Sequence, residues 1–193
     1  TTTTALAAGV LTHLEFCAQA LWPDLDVRLA SVTDQWAQMA VAGPKARETL
    51  AKIVADDIST EAFSYLAARE VTLRSGLKGR LFRISFSGEL AYELAVPAGY
   101  GESVADAILE AGSEFGITPY GSETLGVLRV EKGHVTHAEI NGTVTPGDLG
   151  FGKMVSATKP DFVGKAMLAR EGMQDPDRPA LVGLRPLDPG ATL

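Results

Sequence analysis

The stretch Leu81–Pro97, LFRISFSGELAYELAVP, decides how this chain is read. Phe82, Ile84 and Phe86 alternate with Leu81, Arg83 and Ser85, and after Ser87-Gly88-Glu89 the residues Leu90, Tyr92 and Leu94 alternate again. Successive side chains of a strand point to opposite faces, so period-two alternation on both sides of a short Gly-containing break specifies an antiparallel hairpin. A loop of Ser87-Gly88-Glu89 sets Phe86 opposite Leu90, Ile84 opposite Tyr92 and Phe82 opposite Leu94. All six then share one face, and Arg83 meets Glu93 on the other. A shorter loop mismatches the faces, and register follows the buried side. Glu89 stands at the tip, outside the pairing, where packing gives no reason for a carboxylate.

Outward from the hairpin, further elements follow. Upstream, Leu6, Val10, Leu14 and Cys17 fall at helical spacing, which predicts a helix over 5–21 with Thr4 as N-cap and Pro23 as its end. Alternation predicts strands over 25–32, 35–42 and 68–73, and Pro44 at the first helical position opens a helix over 45–54. A short helical turn is expected over 61–66 and a turn over 75–79. Downstream, Val104, Ala107, Ile108, Ala111 and Phe115 share a helical face ended by Gly116, and Ser122 caps a helix to Lys132 ended by Gly133. Residues 134–152 are rich in Gly, Thr and Pro and aperiodic, as in a long loop. A helix over 161–169 and a strand over 181–184 complete the pattern. Strands and helices in this order give an α+β fold, an antiparallel sheet with packed helices. The chain starts TTTT without Met and stops after a strand-like run, so both ends look cut from a longer polypeptide.

Composition narrows the function. The 193 residues are 46% hydrophobic and 21% charged, as in globular domains, and the net charge of −7 without a Lys/Arg cluster argues against nucleic acid or an anionic membrane. No run is long and apolar enough to span a bilayer and no leader precedes the first helix, so a cytoplasmic protein is expected. Cys17 is the single cysteine and falls in a helical apolar pattern, as a buried inert thiol does. His134 and His137 have no Cys beside them and no helix to hold their spacing, so they read as solvated loop histidines and no metal site is expected. No phosphate loop or dinucleotide fingerprint occurs, and Ser87-Gly88-Glu89 lacks the flanks of a nucleophile elbow.

Polar residues in unexplained places are then the site candidates. Glu89 is first. Arg129 lies beside the apolar stripe of its helix, where it either reaches inward or snorkels into solvent. Tyr92 is on the apolar face as a core aromatic, and Glu93 is accounted for by its cross-strand partner Arg83, with a functional role as the alternative. A buried carboxylate recognises an amidine-like edge by accepting two parallel hydrogen bonds.

Several motifs carry a resemblance to a known family. Ala42-Gly43-Pro44-Lys45-Ala46, the segment Ser87–Leu94 (SGELAYEL) and Leu128–Gly133 (LRVEKG) resemble, in order and spacing, motifs of the aminomethyltransferase (glycine cleavage T-protein) family. VTDQWAQMAVAGPKAR, FGITPYGSETLGVLRVEKGH, NGTVTPGDLGFGKMVS and DPDRPALVGLRP are more similar to the folate-binding C-terminal region of the alpha subunits of heterotetrameric sarcosine oxidases. The resemblance covers nearly the whole chain. It implies the aminomethyltransferase type of folate-binding domain over 1–155, with its N-terminal part missing, then a linker helix and the start of a barrel domain over 156–193.

What the resemblance implies about chemistry is equally specific. Tetrahydrofolate is the implied cofactor, with Glu89 matching the carboxylate that grips the pterin, and Arg129 and Tyr92 as further cofactor-binding positions. Tyr92 stands where the family has Phe. The family's catalytic aspartate lies upstream of residue 1, so no catalytic residue is assigned and the isolated chain is expected to be inactive. Flavin and NAD would reside elsewhere in a complex with the other sarcosine oxidase subunits. The implied reaction captures the one-carbon unit from oxidative demethylation of sarcosine as 5,10-methylenetetrahydrofolate. A stand-alone aminomethyltransferase is disfavoured by the LRVEKGHVTHAEINGT run, and a non-catalytic folate-fold scaffold remains the other alternative.

Overall fold

The segments WAQMAVA, AREVT, KGRLF and AYELAVP form the four strands β1 (Trp36–Ala42), β2 (Ala68–Thr72), β3 (Lys78–Phe82) and β4 (Ala91–Pro97). They form one antiparallel sheet in the order β1-β4-β3-β2, which puts β4 in the interior with β1 and β2 at the edges. The computed structural model describes residues 4–188 and residue 190. The chain divides into two compact units, Thr1–Leu128 and Arg129–Leu193. The fold is α+β, as the order of elements predicts.

One face of the sheet carries the core. Val41, Leu81, Tyr92, Leu94 and Val96 meet Leu50 of helix α2 (Ala46–Ala51) and Val104 and Ile108 of helix α3 (Gly101–Gly112). Each fully buried aliphatic side chain here contributes about 1.5–3 kcal/mol of transfer free energy. Helix α3 approaches β1 closely because Gly101 has no Cβ, which would lie 2.7 Å from the Cβ of Ala37. A short 3-10 turn, Ser113–Phe115, extends α3, and Gly116 ends it at φ +71, as the Gly stop predicts. Helix α4 (Ser122–Lys132) follows the expected span, with Gly133 at φ +76 beyond it.

The hairpin register differs from the sequence expectation. Leu81 pairs with Leu94 and Phe82 with Glu93, so Phe82 is not opposite Leu94. Strand β3 ends at Phe82, because Arg83 leaves β4 for the other side: its N–H donates to Ala67 O and its carbonyl accepts from Leu66 N. Arg83 Nη1 donates to the Phe63 carbonyl at 2.8 Å and makes no pair with Glu93. Leu81 and Phe82 are adjacent and both apolar, so alternation over 81–86 favoured the face of Phe82, Ile84 and Phe86, whereas the core takes Leu81. Leu81 is fully buried in the core, while Phe82, Ile84 and Phe86 line hollows outside it.

Other expectations meet the structure unevenly. The first helix is α1 (Ala7–Phe16), preceded by a 3-10 turn from Thr4 to Leu6 and continued by a wider π turn to Leu21, with no side-chain cap at Leu6. Residues 25–32 form no strand, and Leu25 and Val27 are exposed. Pro44 precedes the N-cap Lys45 of α2 and is not its first helical residue. The turn at 61–66 is not helical and closes with Leu66 at φ 66. Over 161–169 only α5 (Lys165–Leu168) is helical, α6 (Glu171–Gln174) was not anticipated, and 181–184 is irregular. The Thr1–Thr3 part of the leading TTTT run lies outside the described residues. Among the described residues, no helix is long and apolar enough to cross a membrane.

The second unit is tied by two ion pairs. Arg178 forks onto Asp148, Nε to Oδ1 at 3.0 Å and Nη2 to Oδ2 at 2.5 Å, and also reaches the carbonyls of Thr143 and Gly172. Arg129 Nη1 donates to Glu139 Oε1 at 2.8 Å. These bonds order a stretch whose sequence shows no periodicity.

Candidate functional site

The register fixes what the outer face of the sheet presents. Gly43 N–H donates to Leu90 O at 2.9 Å, so the odd-numbered residues of β1 exchange hydrogen bonds with β4. The main-chain N–H and C=O of Gln38, Ala40 and Ala42 are therefore directed off the free edge of the sheet. On the outer face Glu93 sits between its cross-strand partners Ala40 and Phe82.

Beside that edge is a cavity of about 650 Å³. It lies between β1 and the segment 117–125, with Leu109 of α3 and Ile84 and Phe86 of the β3–β4 connection as further walls. The size is that of a small-molecule site, and apolar walls with few polar groups are the usual composition of one. Glu93 is the one charged side chain among the described residues lining it. Burial pushes the Glu93 carboxyl above the usual carboxylate range, opposed by a hydrogen bond from Gln38. That bond runs from Gln38 Nε2 to Glu93 Oε2, and no partner for Oε1 occurs among the described residues.

The three residues singled out from the sequence fare differently. Tyr92 lies on the cavity wall, its ring fully buried and 6.2 Å from that of Phe63, and its hydroxyl accepts a hydrogen bond from Arg47 Nε at 2.8 Å. Glu89 is exposed on the β3–β4 connection and is not among the residues lining the cavity. Arg129 belongs to the second unit, where it holds Glu139 and the His134 carbonyl. The Arg129 guanidinium, with the Thr136 N–H, lowers the Glu139 carboxyl to about 2. Arg178, with the Thr145 N–H, holds Asp148 well below the carboxylate range.

Sequence reasoning gave Glu93 to Arg83 and kept a functional role only as the alternative. That assignment rested on a register that the chain does not adopt. The available signal was a carboxylate embedded in AYELAVP, an otherwise uncharged strand, since an acid on an interior strand has no easy route to solvent. What the arrangement can do is bind a planar polar molecule: apolar walls for its faces, a half-buried carboxylate for N–H donors, and the main chain of Ala40 and Ala42 at the margin.

Comparison with known proteins bears on the same region. The family model described as GCVT N-terminal domain matches residues 1–159. The chain is 77% identical over 190 residues to a sarcosine oxidase subunit alpha of Rhizobium meliloti (strain 1021), covering 98% of this chain and 19% of that protein. It is 31% identical over 165 residues to an aminomethyltransferase of Caldanaerobacter subterraneus subsp. tengcongensis, covering 85% of this chain and 43% of that one. A solved structure of heterotetrameric sarcosine oxidase from Corynebacterium sp. U-96, in complex with pyrrole 2-carboxylate, aligns with TM-score 0.46 and 18% identity over 62% of this chain and 55% of that chain. The chain thus spans about a fifth of the length of the sarcosine oxidase alpha subunit it matches.

Proposed function

The chain belongs to the GCVT N-terminal domain family, and from that premise we propose that it is the tetrahydrofolate-holding part of a sarcosine oxidase alpha subunit. The observation that carries the reading is Glu93, a half-buried carboxylate and, among the described residues, the only charged side chain of a cavity otherwise walled by apolar and uncharged residues. A pterin ring is flat and carries an amidine-like edge of N–H donors. A carboxylate in a poorly solvated site accepts from such an edge through charge-assisted hydrogen bonds, stronger than neutral ones. Ile84, Phe86 and Leu109 supply apolar walls for the ring faces and exclude water.

In this role Glu93 is the residue we assign to the pterin, Tyr92 forms part of the wall through its fixed ring, and Glu89 and Arg129 are the sequence-based alternatives. Bound tetrahydrofolate would supply the amine that takes up the one-carbon unit as 5,10-methylenetetrahydrofolate. The residues of this chain hold and orient it, keep water away, and set a negative charge near a site where positive charge develops. Flavin and NAD are assigned to other parts of a heterotetrameric complex, in the cytoplasm, and sarcosine oxidation to the flavin. The domain division proposed for the longer protein remains 1–155 for folate and 156–193 for the start of the next domain.

The test is tetrahydrofolate binding by calorimetry in the full-length subunit within its complex. Glu93→Gln is expected to weaken binding by roughly tenfold or more, the scale of a lost hydrogen bond to a charged group, with flavin-dependent sarcosine oxidation largely unchanged. Glu89→Gln is expected to bind normally. Loss of binding in Glu89→Gln with none in Glu93→Gln would return the pterin to the connection. No measurable folate binding in the unaltered complex would leave a scaffold.

A further inference from the structure

Glu93 is an acid without a cation. The charged or titratable groups near it can be named element by element. Strand β1 contributes none, since WAQMAVA carries no ionisable side chain, and β4 contributes none on this face. On β3 the outer face carries Arg80 and Lys78, on β2 Glu70 stands opposite Arg80, and the β3–β4 connection carries the exposed Glu89 and also Arg83, whose Nη1 donates to the Phe63 carbonyl. The Arg80 guanidinium is stacked on the Trp36 ring at 4.1 Å, and Lys78 donates to Thr72 Oγ1 at 2.6 Å. The segment 117–125 brings Tyr120 to the cavity, and α3 brings only Ala105 and Leu109. The nearby groove under α1 is met by Ala7, Val10, Leu11 and Leu14. No salt bridge involves Glu93 among the described residues.

What Glu93 does have is Gln38. Ala40 lies directly opposite Glu93 and Gln38 opposite Ala95, which makes Gln38 the diagonal neighbour of Glu93 on the same face. Diagonal pairs are within reach of long side chains. The Gln38 amide uses that reach to donate to Oε2.

We propose that Gln38 is a positioning residue for the folate site: its amide fixes the Glu93 carboxylate and keeps it ionised without neutralising it, leaving Oε1 for the ligand. The proposal rests on the assignment of Glu93 to the pterin. Its logic is chemical. A desolvated carboxylate drifts toward its protonated form, in which it loses acceptor capacity. A Lys or Arg at position 38 would prevent that by pairing with the acid, and would then compete with the ligand's N–H groups for both oxygens. A neutral amide stabilises the charged form through one oxygen only. Ala40, the smallest side chain that retains a Cβ, leaves the space above the carboxylate open.

Two substitutions at position 38 in the full-length complex test this, with tetrahydrofolate affinity measured as a function of pH. Gln38→Met keeps the length and removes the donor. Glu93 then meets burial unopposed, so the pH below which affinity falls moves upward, and affinity above it drops by roughly tenfold. Gln38→Lys places a cation on the same acid, so that pH moves downward, while affinity at neutral pH also drops because the ligand loses its partner. Opposite movements of the acid limb are a signature that a purely structural role of Gln38 does not give. Glu93→Gln is the reference. If it leaves affinity unchanged, the folate reading itself is overturned. If Glu93→Gln weakens binding but neither variant at position 38 moves the acid limb, the positioning role alone is overturned. Should Gln38→Met fail to fold, Gln38→Ala removes the same donor at an exposed position and is expected to move the acid limb upward likewise; no upward movement there overturns the positioning role.

Discussion

The register of β3 against β4 can be tested by a pair of truncations. Leu81 is 0% exposed and faces Leu94 in the core, whereas Phe82 is partly exposed and borders an open groove of about 460 Å³. Leu81→Ala removes three carbons from an enclosed site. At about 0.8 kcal/mol per methylene the transfer loss is about 2.4 kcal/mol, and the cavity left behind raises the total to about 3–4 kcal/mol. Phe82→Ala removes more atoms, yet half of their transfer free energy was never gained and no closed cavity is created, so about 1–1.5 kcal/mol is expected. Urea unfolding of the 193-residue chain, followed by far-UV circular dichroism and fitted with a common slope, reads both values. In thermal scans Leu81→Ala should lower the midpoint by about 6–16 °C, at about 2–4 °C per kcal/mol for a chain of this size. A larger loss in Phe82→Ala than in Leu81→Ala would refute the register, and with it the placement of Glu93 on the cavity side.

Two further outcomes follow from particular contacts. Tyr92→Phe strips the hydroxyl that accepts from Arg47 Nε and should cost about 1 kcal/mol of stability while leaving folate affinity nearly unchanged; a double-mutant cycle with Arg47→Met separates the bond from its parts. The Glu139 carboxyl is lowered to about 2 from 4.5, chiefly by Arg129, so its stabilising contribution is full above about pH 4.5 and is lost as pH falls toward 2. Protection of the amides in 134–148, taken relative to intrinsic exchange at each pH, should therefore fall over that window, and Arg129→Met should remove the acid dependence by lowering protection at higher pH as well.

How much of the site was legible from the sequence follows from these same residues. Glu93 and Tyr92 are adjacent, and alternation puts them on opposite faces of a strand whichever register holds. The residue on the core face was therefore legible. The partner that explained the acid was not, because pairing with Arg83 depended on a hairpin tip that the chain does not make. Glu89 stood out for having no local explanation, which is also what an exposed side chain on a long connection looks like. Gln38, 55 residues away from Glu93 along the chain, carried no signal at all.

The order of chain segments by itself determined the α+β class, the helices α3 and α4 with their glycine stops, the strands β1 and β2, and the motifs of the GCVT family. These are local matters of periodicity and backbone freedom, settled within a few turns or residues. Which face of β3 is buried, where the hairpin ends and which acid meets the cavity were decided only by tertiary structure. Leu81 and Phe82 are adjacent apolar residues at the end of that strand, so which of them is buried was open until β2 and the 66–67 backbone took up Arg83. The carboxylate's environment is a sum over β1, β3, β4 and the segment 117–125, and no window of sequence contains them together.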